Sequence, residues 1–306
     1  MLQDFDIYTK SLDSLPEGRL LITTINAHSY NVSREDAEFK QALMASDVLI
    51  PDGISVVWAV KLLERAKSKE QRVKSKEQRA KNKEQRTKTL KKIAGEDLFY
   101  WEMERLEQRA KSKEQRVKSK ESRQEEEEKE KAKAEVKAKA MFLGSSEVVL
   151  AKIKARAAVE FPNVEVHTYS PPYKPEFSDE DNRAMYAAIE AVQPNVLFVG
   201  MTAPKQEKWA YKLMNLQPLK GSKIDDMQQN NSPLGVRGNI HVCCIGAVFD
   251  FYAGTVERAP KLFIKLGLEW FYRLIKEPCR MWRRYLIGNV KFVGAILKEW
   301  VMIRGK

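Results

Sequence analysis

Three stretches of this sequence put chemically able side chains where an apolar run stops and a helical pattern starts. LLITTIN ends on Thr24-Ile25-Asn26, VLIPDG on Pro51-Asp52-Gly53, and VLFVGM is followed by Pro204-Lys205-Gln206. At the second, Pro fixes the backbone and Gly allows a ligand close, so Asp52 is aimed outward as a carboxylate able to take a proton from a hydroxyl. Thr24 and Asn26 offer a hydroxyl and an amide, suited to orienting a sugar or phosphate rather than attacking it. Gln206 sits where Pro opens a helix whose first amides point at the same edge. Each also has an ordinary structural reading. Asp52 is a good helix N-cap, Thr24 and Asn26 are good turn residues, and Trp209, one turn beyond Gln206, reads as core packing.

Other constellations are thin. Asp179-Glu180-Asp181 has the spacing of an Asp-x-Asp metal clamp, but Ser178 precedes it and Asp181 falls at the third helical position, which makes a capping box. Asp4-x-Asp6 lacks a strand context, and His28, His167 and His241 are scattered, so no metal site and no cofactor are expected. Gly144-Ser145-Ser146 offers backbone for a phosphate, yet no GxGxxG, GxxxxGK[ST] or GxSxG pattern occurs, which weighs against dehydrogenase, P-loop and hydrolase chemistry. Cys243, Cys244 and Cys279 have no CxxC spacing and fit a reducing compartment.

The elements that must position these residues alternate short apolar runs with amphipathic stretches. Strands are expected within LLITTIN, VLIPDG, MFLGSS, VEVHTYS, VLFVGM and HVCCIGAVFDF. Helices are expected over Glu35–Ala45, Ile54–Leu63, Glu147–Glu160, Asp179–Val192 and Lys205–Leu213. This order predicts an α/β fold: a Rossmann-like parallel sheet covered by helices, with ligands at the carboxyl ends of its strands. No apolar run approaches the roughly 18 residues that suggest a spanning helix.

The 306 residues carry a formal charge of +12, which invites a nucleic-acid reading. The excess sits in two heptad-repeat blocks built on RAKSKEQ. Residues 65–92 hold 13 Lys/Arg against 3 Glu and residues 107–139 hold 12 against 9, so the remainder has 29 basic and 30 acidic residues. One apolar position per heptad is too few for a coiled-coil seam, and no aromatic is interleaved to stack bases. These blocks read as solvated, partly helical insertions, and residues 216–238 as a polar surface loop; nucleic acid is not an expected partner. A binding arm for nucleic acid and a non-catalytic membrane scaffold are the competing functions. The domain reading is a catalytic domain over 1–256 with these interruptions, and a basic, aromatic helical appendage over 257–306. That tail has 12 Lys/Arg against 4 Glu, with Trp270, Phe271, Trp282, Tyr285, Phe292 and Trp300 interleaved. Such a composition suits helices lying in an anionic headgroup layer, the alternative being a cap packed on the sheet.

Several longer motifs then appear in order: TINAHSYN (Thr24–Asn31), AL-x3-D-x3-PDG-x3-VWA (Ala42–Ala59), APKQEKW (Ala203–Trp209), FDFYAGTVERAP (Phe249–Pro260) and LGLEWFYRLIKEP (Leu266–Pro278). Together they resemble the WecG/TagA/CpsF glycosyltransferases, family 26, over nearly the whole chain outside the three interruptions. The resemblance implies inverting, metal-independent transfer of an N-acetylmannosamine-type sugar from a UDP donor to a polyprenyl-diphosphate-linked N-acetylglucosamine acceptor. It implies a peripheral location on the inner face of the cell membrane, and leaves a homo-oligomer open. By the same resemblance Asp52 is the base, Thr24 and Asn26 belong to the donor or acceptor pocket, and Gln206 lies beside them. Lys92 and Asp97 belong to a Lys-Ile-Ala-Gly-Glu-Asp stretch where family members usually carry Arg-Val-Ala-Gly-x-Asp. Arg273, Arg280 and Arg283 match tail arginines that meet the departing diphosphate, where forked guanidinium donors suit phosphate better than a single ammonium.

Overall fold

The computed structural model describes residues 1–71, 90–118, 137–215 and 240–305. Six strands, β1 (Leu20–Ile25), β2 (Val48–Pro51), β3 (Ala138–Gly144), β4 (Val164–Tyr169), β5 (Val196–Gly200) and β6 (His241–Cys244), form one sheet in the order β2-β1-β6-β5-β3-β4. The pairs β1/β2, β3/β4, β3/β5 and β5/β6 all run parallel. β1, β2 and β6 are buried at every residue, which is why they read as continuous apolar runs. The edge strand β4 instead buries Val164 and Val166 and leaves Glu165 and His167 partly exposed. This is the α/β sheet that the alternation of runs predicts.

The expected helices are present, that over Glu35–Ala45 as α2 (Ala37–Met44), and others appear that the apolar spacing did not predict, the first of them α1 (Ala27–Glu35). Asn26 accepts from Ser29 N–H to start α1, and Asp36 ends α1 while accepting from Phe39 N–H to start α2. A short polar side chain that bonds its own downstream backbone starts a helix where apolar spacing alone shows none. Then come α3 (Ile54–Gln71), α4 (Gly95–Lys118), α5 (Glu147–Glu160), α6 (Asp179–Val192), α7 (Lys205–Asn215) and α8 (Val248–Tyr252). The tail forms α9 (Lys261–Lys265), α10 (Glu269–Lys276), α11 (Pro278–Trp282), a π-helical turn (Arg283–Ile287) and α12 (Gly288–Arg304).

Helices α3 and α4 run into the two repeat blocks. Ala66 and Ala110 occupy the same place in their RAKSKEQ heptads and are both buried. Residues 65–71 and 107–118 of the blocks are therefore helical, with Ala66 and Ala110 turned inward, whereas 90–92 are not helical and Ala138–Lys139 already belong to β3. Residues 72–89 and 119–136, and the polar loop 216–238, lie outside the described residues.

Contacts divide the described chain into two units. One comprises Met1–Leu15, Ile22–Gly95 and Glu257–Lys306; the other comprises Pro16–Leu21 and Glu96–Val256. The core of the second gathers Met141, Leu143, Met185, Ile189, Leu197, Val199, Trp209 and Val242. Trp209 is buried there and stacks on Tyr186, the packing role its helical position suggests.

In the first unit the tail is part of the core. Phe292, Ala295 and Ile296 of α12 pack with Leu2, Tyr30, Phe39, Val56 and Leu63. Tyr30 meets Phe292 edge-on at 5.4 Å between centroids, a pairing that contributes about 1 kcal/mol beyond burial. On the same inward face, Glu299 is buried and accepts from Leu2 N–H at 2.8 and 3.0 Å and from the Tyr30 hydroxyl. Burial and the Glu299 carboxylate push the Tyr30 phenol well above its ordinary pKa, so it stays a donor. One carboxylate thus ties the two chain ends to α1. Glu299→Ala leaves two buried donors unpartnered and is expected to destabilise this unit by about 3 kcal/mol, read by urea denaturation. Glu299→Gln, which keeps one acceptor and the side-chain shape, should cost less.

Candidate active site

The register of β1 and β2 sets the first group of site residues. Thr24 pairs with Ile50 and Ile25 with Pro51, so the two strands end side by side. The ladder runs one residue further, because Asp52 N–H donates to the Ile25 carbonyl at 2.9 Å. Gly53 then turns the chain into α3 with φ +132°, and a Cβ there would lie 3.6 Å from Asn26 Cβ. Asp52, Thr24 and Asn26 therefore stand together at one carboxyl edge, as their spacing suggests. Asn26 spends its Oδ1 on the Ser29 amide at 3.0 Å and its hydroxyl at 3.3 Å, which fixes the amide plane.

The Lys92 stretch joins this edge through the backbone, Ile93 N–H donating to the Pro51 carbonyl at 3.2 Å. Lys92 itself is paired with a tail residue: its Nζ donates to Glu269 Oε2 at 2.9 Å, while Arg258 Nε lies 3.6 Å from Oε1. Burial raises the pKa of Glu269, but Lys92 and Arg258 together outweigh it and hold the carboxyl below its ordinary value. The tail touches the same junction elsewhere. Gly267, at φ +71°, comes so near Ile54 that a Cβ would meet its methyl at 2.9 Å, and Asn31 Nδ2 donates to the Gly288 carbonyl at 2.7 Å.

The tail arginines follow from there. Arg273 is half-buried on α10, and Arg283 is exposed with its guanidinium 5.2 Å from the Trp282 ring centroid. Arg280 lies on α11, with its side chain outside the description. His28, two residues past Asn26, is a neighbour that sequence reasoning passed over. Burial, helped by the charge of Arg284, lowers its pKa from 6.5 to about 4, so a neutral imidazole stands between the junction and the tail. Its place beside Asn26 was the available signal.

The second unit carries the other two candidates. Asp97 lies exposed in the first turn of α4. Gln206, in the first turn of α7 after β5, is buried: its Oε1 accepts from Met201 N–H at 3.2 Å and its Nε2 donates to Glu207 Oε1 at 2.8 Å. Close approach is built into this region, since a Cβ on Gly144 would strike the Gly200 carbonyl at 2.4 Å.

Among the described residues no three His, Cys, Asp or Glu side chains are grouped to hold a metal ion. The Asp179–Asp181 run is a capping box, with Ser178 N–H donating to Asp181 Oδ2 at 2.9 Å and Asp181 N–H to Ser178 Oγ at 3.2 Å.

A parallel sheet that gathers an acid, a hydroxyl and an amide at one edge, beside a cationic tail, suits transfer between hydroxyl-bearing substrates. The comparisons give that class its name: this chain belongs to the glycosyl transferase WecG/TagA/CpsF family, whose profile matches residues 6–77, 127–221 and 227–306. Asp52, Thr24, Asn26, Gln206 and the three tail arginines fall inside the match; Lys92 and Asp97 fall between its first two segments. The chain is similar to an N-acetylglucosaminyldiphosphoundecaprenol N-acetyl-beta-D-mannosaminyltransferase from Bacillus spizizenii, 26% identical over 278 residues, or 91% of this chain and 79% of the relative. A protein of the same name from Bacillus subtilis is 25% identical over 280 residues, with the same coverage. The chain is thus a glycosyltransferase.

The pKa of His28 has a sign that can be checked. An unfolded chain takes up a proton on this imidazole below pH 6.5, whereas the folded one refuses it until about pH 4, so folding loses stability as pH falls through that window. Allowing for partial exposure, the loss is about 2 kcal/mol. Thermal melts from pH 7 to pH 4 should show His28→Leu losing less stability than the natural protein.

Proposed function

We propose that this chain moves an N-acetylmannosamine-type sugar from a UDP donor to a polyprenyl-diphosphate-linked N-acetylglucosamine acceptor, with inversion to a beta linkage. The names of its two relatives support the sugar and the acceptor. The observation that carries the residue roles is the junction itself, where Asp52 lies next to Asn26 and the tail docks through Gly267 on Ile54 and Glu269 on Lys92.

In this reading the acceptor hydroxyl oxygen attacks the anomeric carbon, its proton passes to the Asp52 carboxylate, and the bond to the UDP oxygen breaks. Thr24 and Asn26 orient the sugar. Gln206 and Asp97 are assigned to substrate binding. The diphosphate leaves with added negative charge, which Arg273, Arg280 and Arg283 offset as forked donors. Lys92 takes part in diphosphate binding while its pairing with Glu269 keeps the tail at the junction.

The reading includes a location, peripheral on the inner face of the membrane, and the composition of the tail supports contact with a lipid surface. Leu286, Val290, Val293, Leu297 and Val301 are exposed on the side of the π-turn and α12 away from the buried Phe292, Ala295, Ile296 and Glu299. Lys291, Lys298 and Arg304 lie among them, a pairing of apolar and cationic side chains that suits an anionic lipid surface. No helix among the described residues is long and apolar enough to cross a membrane.

The test follows UDP release from UDP-N-acetylmannosamine with a soluble diphosphate-linked N-acetylglucosamine acceptor, with and without chelator. Asp52→Asn is expected to lower kcat about a thousandfold, within the usual reach of general-base catalysis, and Arg283→Ala to slow transfer with unchanged thermal stability. Chelator should change nothing. Full activity in Asp52→Asn overturns the mechanism, and vesicle binding without any UDP release overturns the activity.

A further inference from the structure

Glu207 is a buried carboxylate that the transfer chemistry leaves unused. It is 1% exposed in the first turn of α7, one residue after Gln206. Its Oε1 accepts from Gln206 Nε2 at 2.8 Å, and its Oε2, equally buried, has no hydrogen-bond partner among the described residues. No cation stands against it there. Burial raises its pKa from 4.5 to about 7, only partly offset by the Gln206 amide and its own backbone N–H. The titratable group facing it from β6 is the Cys244 thiol, itself pushed well up by burial and by the Glu207 charge, and the thiol donates to the Gln206 carbonyl at 3.8 Å.

An unpaired carboxylate in such surroundings costs the fold stability, and an apolar side chain of similar size would not. What Glu207 does supply is orientation. A primary amide can sit either way round; here Met201 N–H claims its oxygen and the Glu207 carboxylate claims one hydrogen of its nitrogen, so only one arrangement satisfies both. Gly246 closes the amide from the other side, leaving room for a Cβ only at 3.6 Å from each of its polar atoms.

We propose that Glu207 is a positioning residue for sugar transfer: its buried carboxylate fixes which way the Gln206 amide presents its remaining hydrogen and lone pair to the substrate. The inference rests on the reading of Gln206 as a substrate contact. It goes further by making that contact depend on the ionisation of a neighbour that touches no substrate. The ionised carboxylate is the stronger acceptor, so the amide is held best above the Glu207 pKa and less firmly below it.

The experiment measures UDP release from UDP-N-acetylmannosamine with the soluble acceptor across pH 5.5–8.5 for Gln206→Ala, Glu207→Leu, Glu207→Gln and the double variant Gln206→Ala/Glu207→Leu. Gln206→Ala and Glu207→Leu should each lose about tenfold or more in kcat/KM, and the double variant should lose no more than Gln206→Ala alone, as coupled residues do. Glu207→Leu should melt no lower than the natural protein at pH 8. Glu207→Gln should retain partial activity and lose the limb near pH 7. Full activity in Gln206→Ala removes the reading of Gln206. Impaired Gln206→Ala beside natural activity in Glu207→Leu, or additive losses in the double variant, overturns the positioning role alone. If Glu207→Leu melts lower, the residue serves the fold and the proposal fails. If it does not fold at all, an unaltered pH profile in Glu207→Gln is the overturning result.

Discussion

Where a strand leaves a parallel sheet, the ladder stops but its last carbonyl still needs a donor, and the loop that supplies one is fixed in place. Here the donor is Asp52 N–H, given to the Ile25 carbonyl at 2.9 Å. That bond extends the ladder beyond β2 and sets the Asp52 backbone beside the end of β1. Gly53, in a conformation that side chains rarely adopt, can then turn straight into α3 against Asn26. A looser exit would leave the acid on a mobile loop. The bond instead gives acid, amide and hydroxyl the rigidity of the sheet, which the proton transfer proposed for Asp52 would need.

The tail depends on that junction and supports it in turn. Its inward face is held by Glu299 and by the packing of Phe292, Ala295 and Ile296, so α12 belongs to the core of its unit. Its nearer part is held by a compact charge cluster, one Glu269 carboxylate between Lys92 and Arg258. In the same tail, Arg283 lies along the Trp282 ring.

The sheet was legible because buried parallel strands print themselves as apolar runs, and the junctions because Pro, Gly and Asn punctuate them. Helix α1 was not, since its start rests on what Asn26 does with its side chain, and a polar residue at a strand end reads equally well as a turn. The pairing of Lys92 with Glu269 spans 177 residues, and no local pattern reports it. His28 and Glu207 escaped for a related reason: what marks them is the environment, and environment is made by tertiary packing. Net charge was misleading until it was located, because two repeat blocks carry all of it and the remainder is about neutral. The buried Ala66 and Ala110 show how sparingly those blocks join the fold.

The treatment of buried charge separates structural from functional positions within one unit. Glu102 is fully buried, yet Arg105 donates to it from Nε at 2.9 Å and from a terminal nitrogen at 2.6 Å, and His241 Nδ1 meets its other oxygen. That cluster stands at His241, the first residue of β6, the sheet end away from the carboxyl edge. Every oxygen has a partner, as a network kept for stability requires. Glu207 follows β5 at the opposite end and is given one amide hydrogen and no cation. The same unit can therefore neutralise a buried carboxylate with a guanidinium, and beside Gln206 it does not. An uncompensated buried charge of this kind is what the proposed positioning of the Gln206 amide would account for, and stability alone would not.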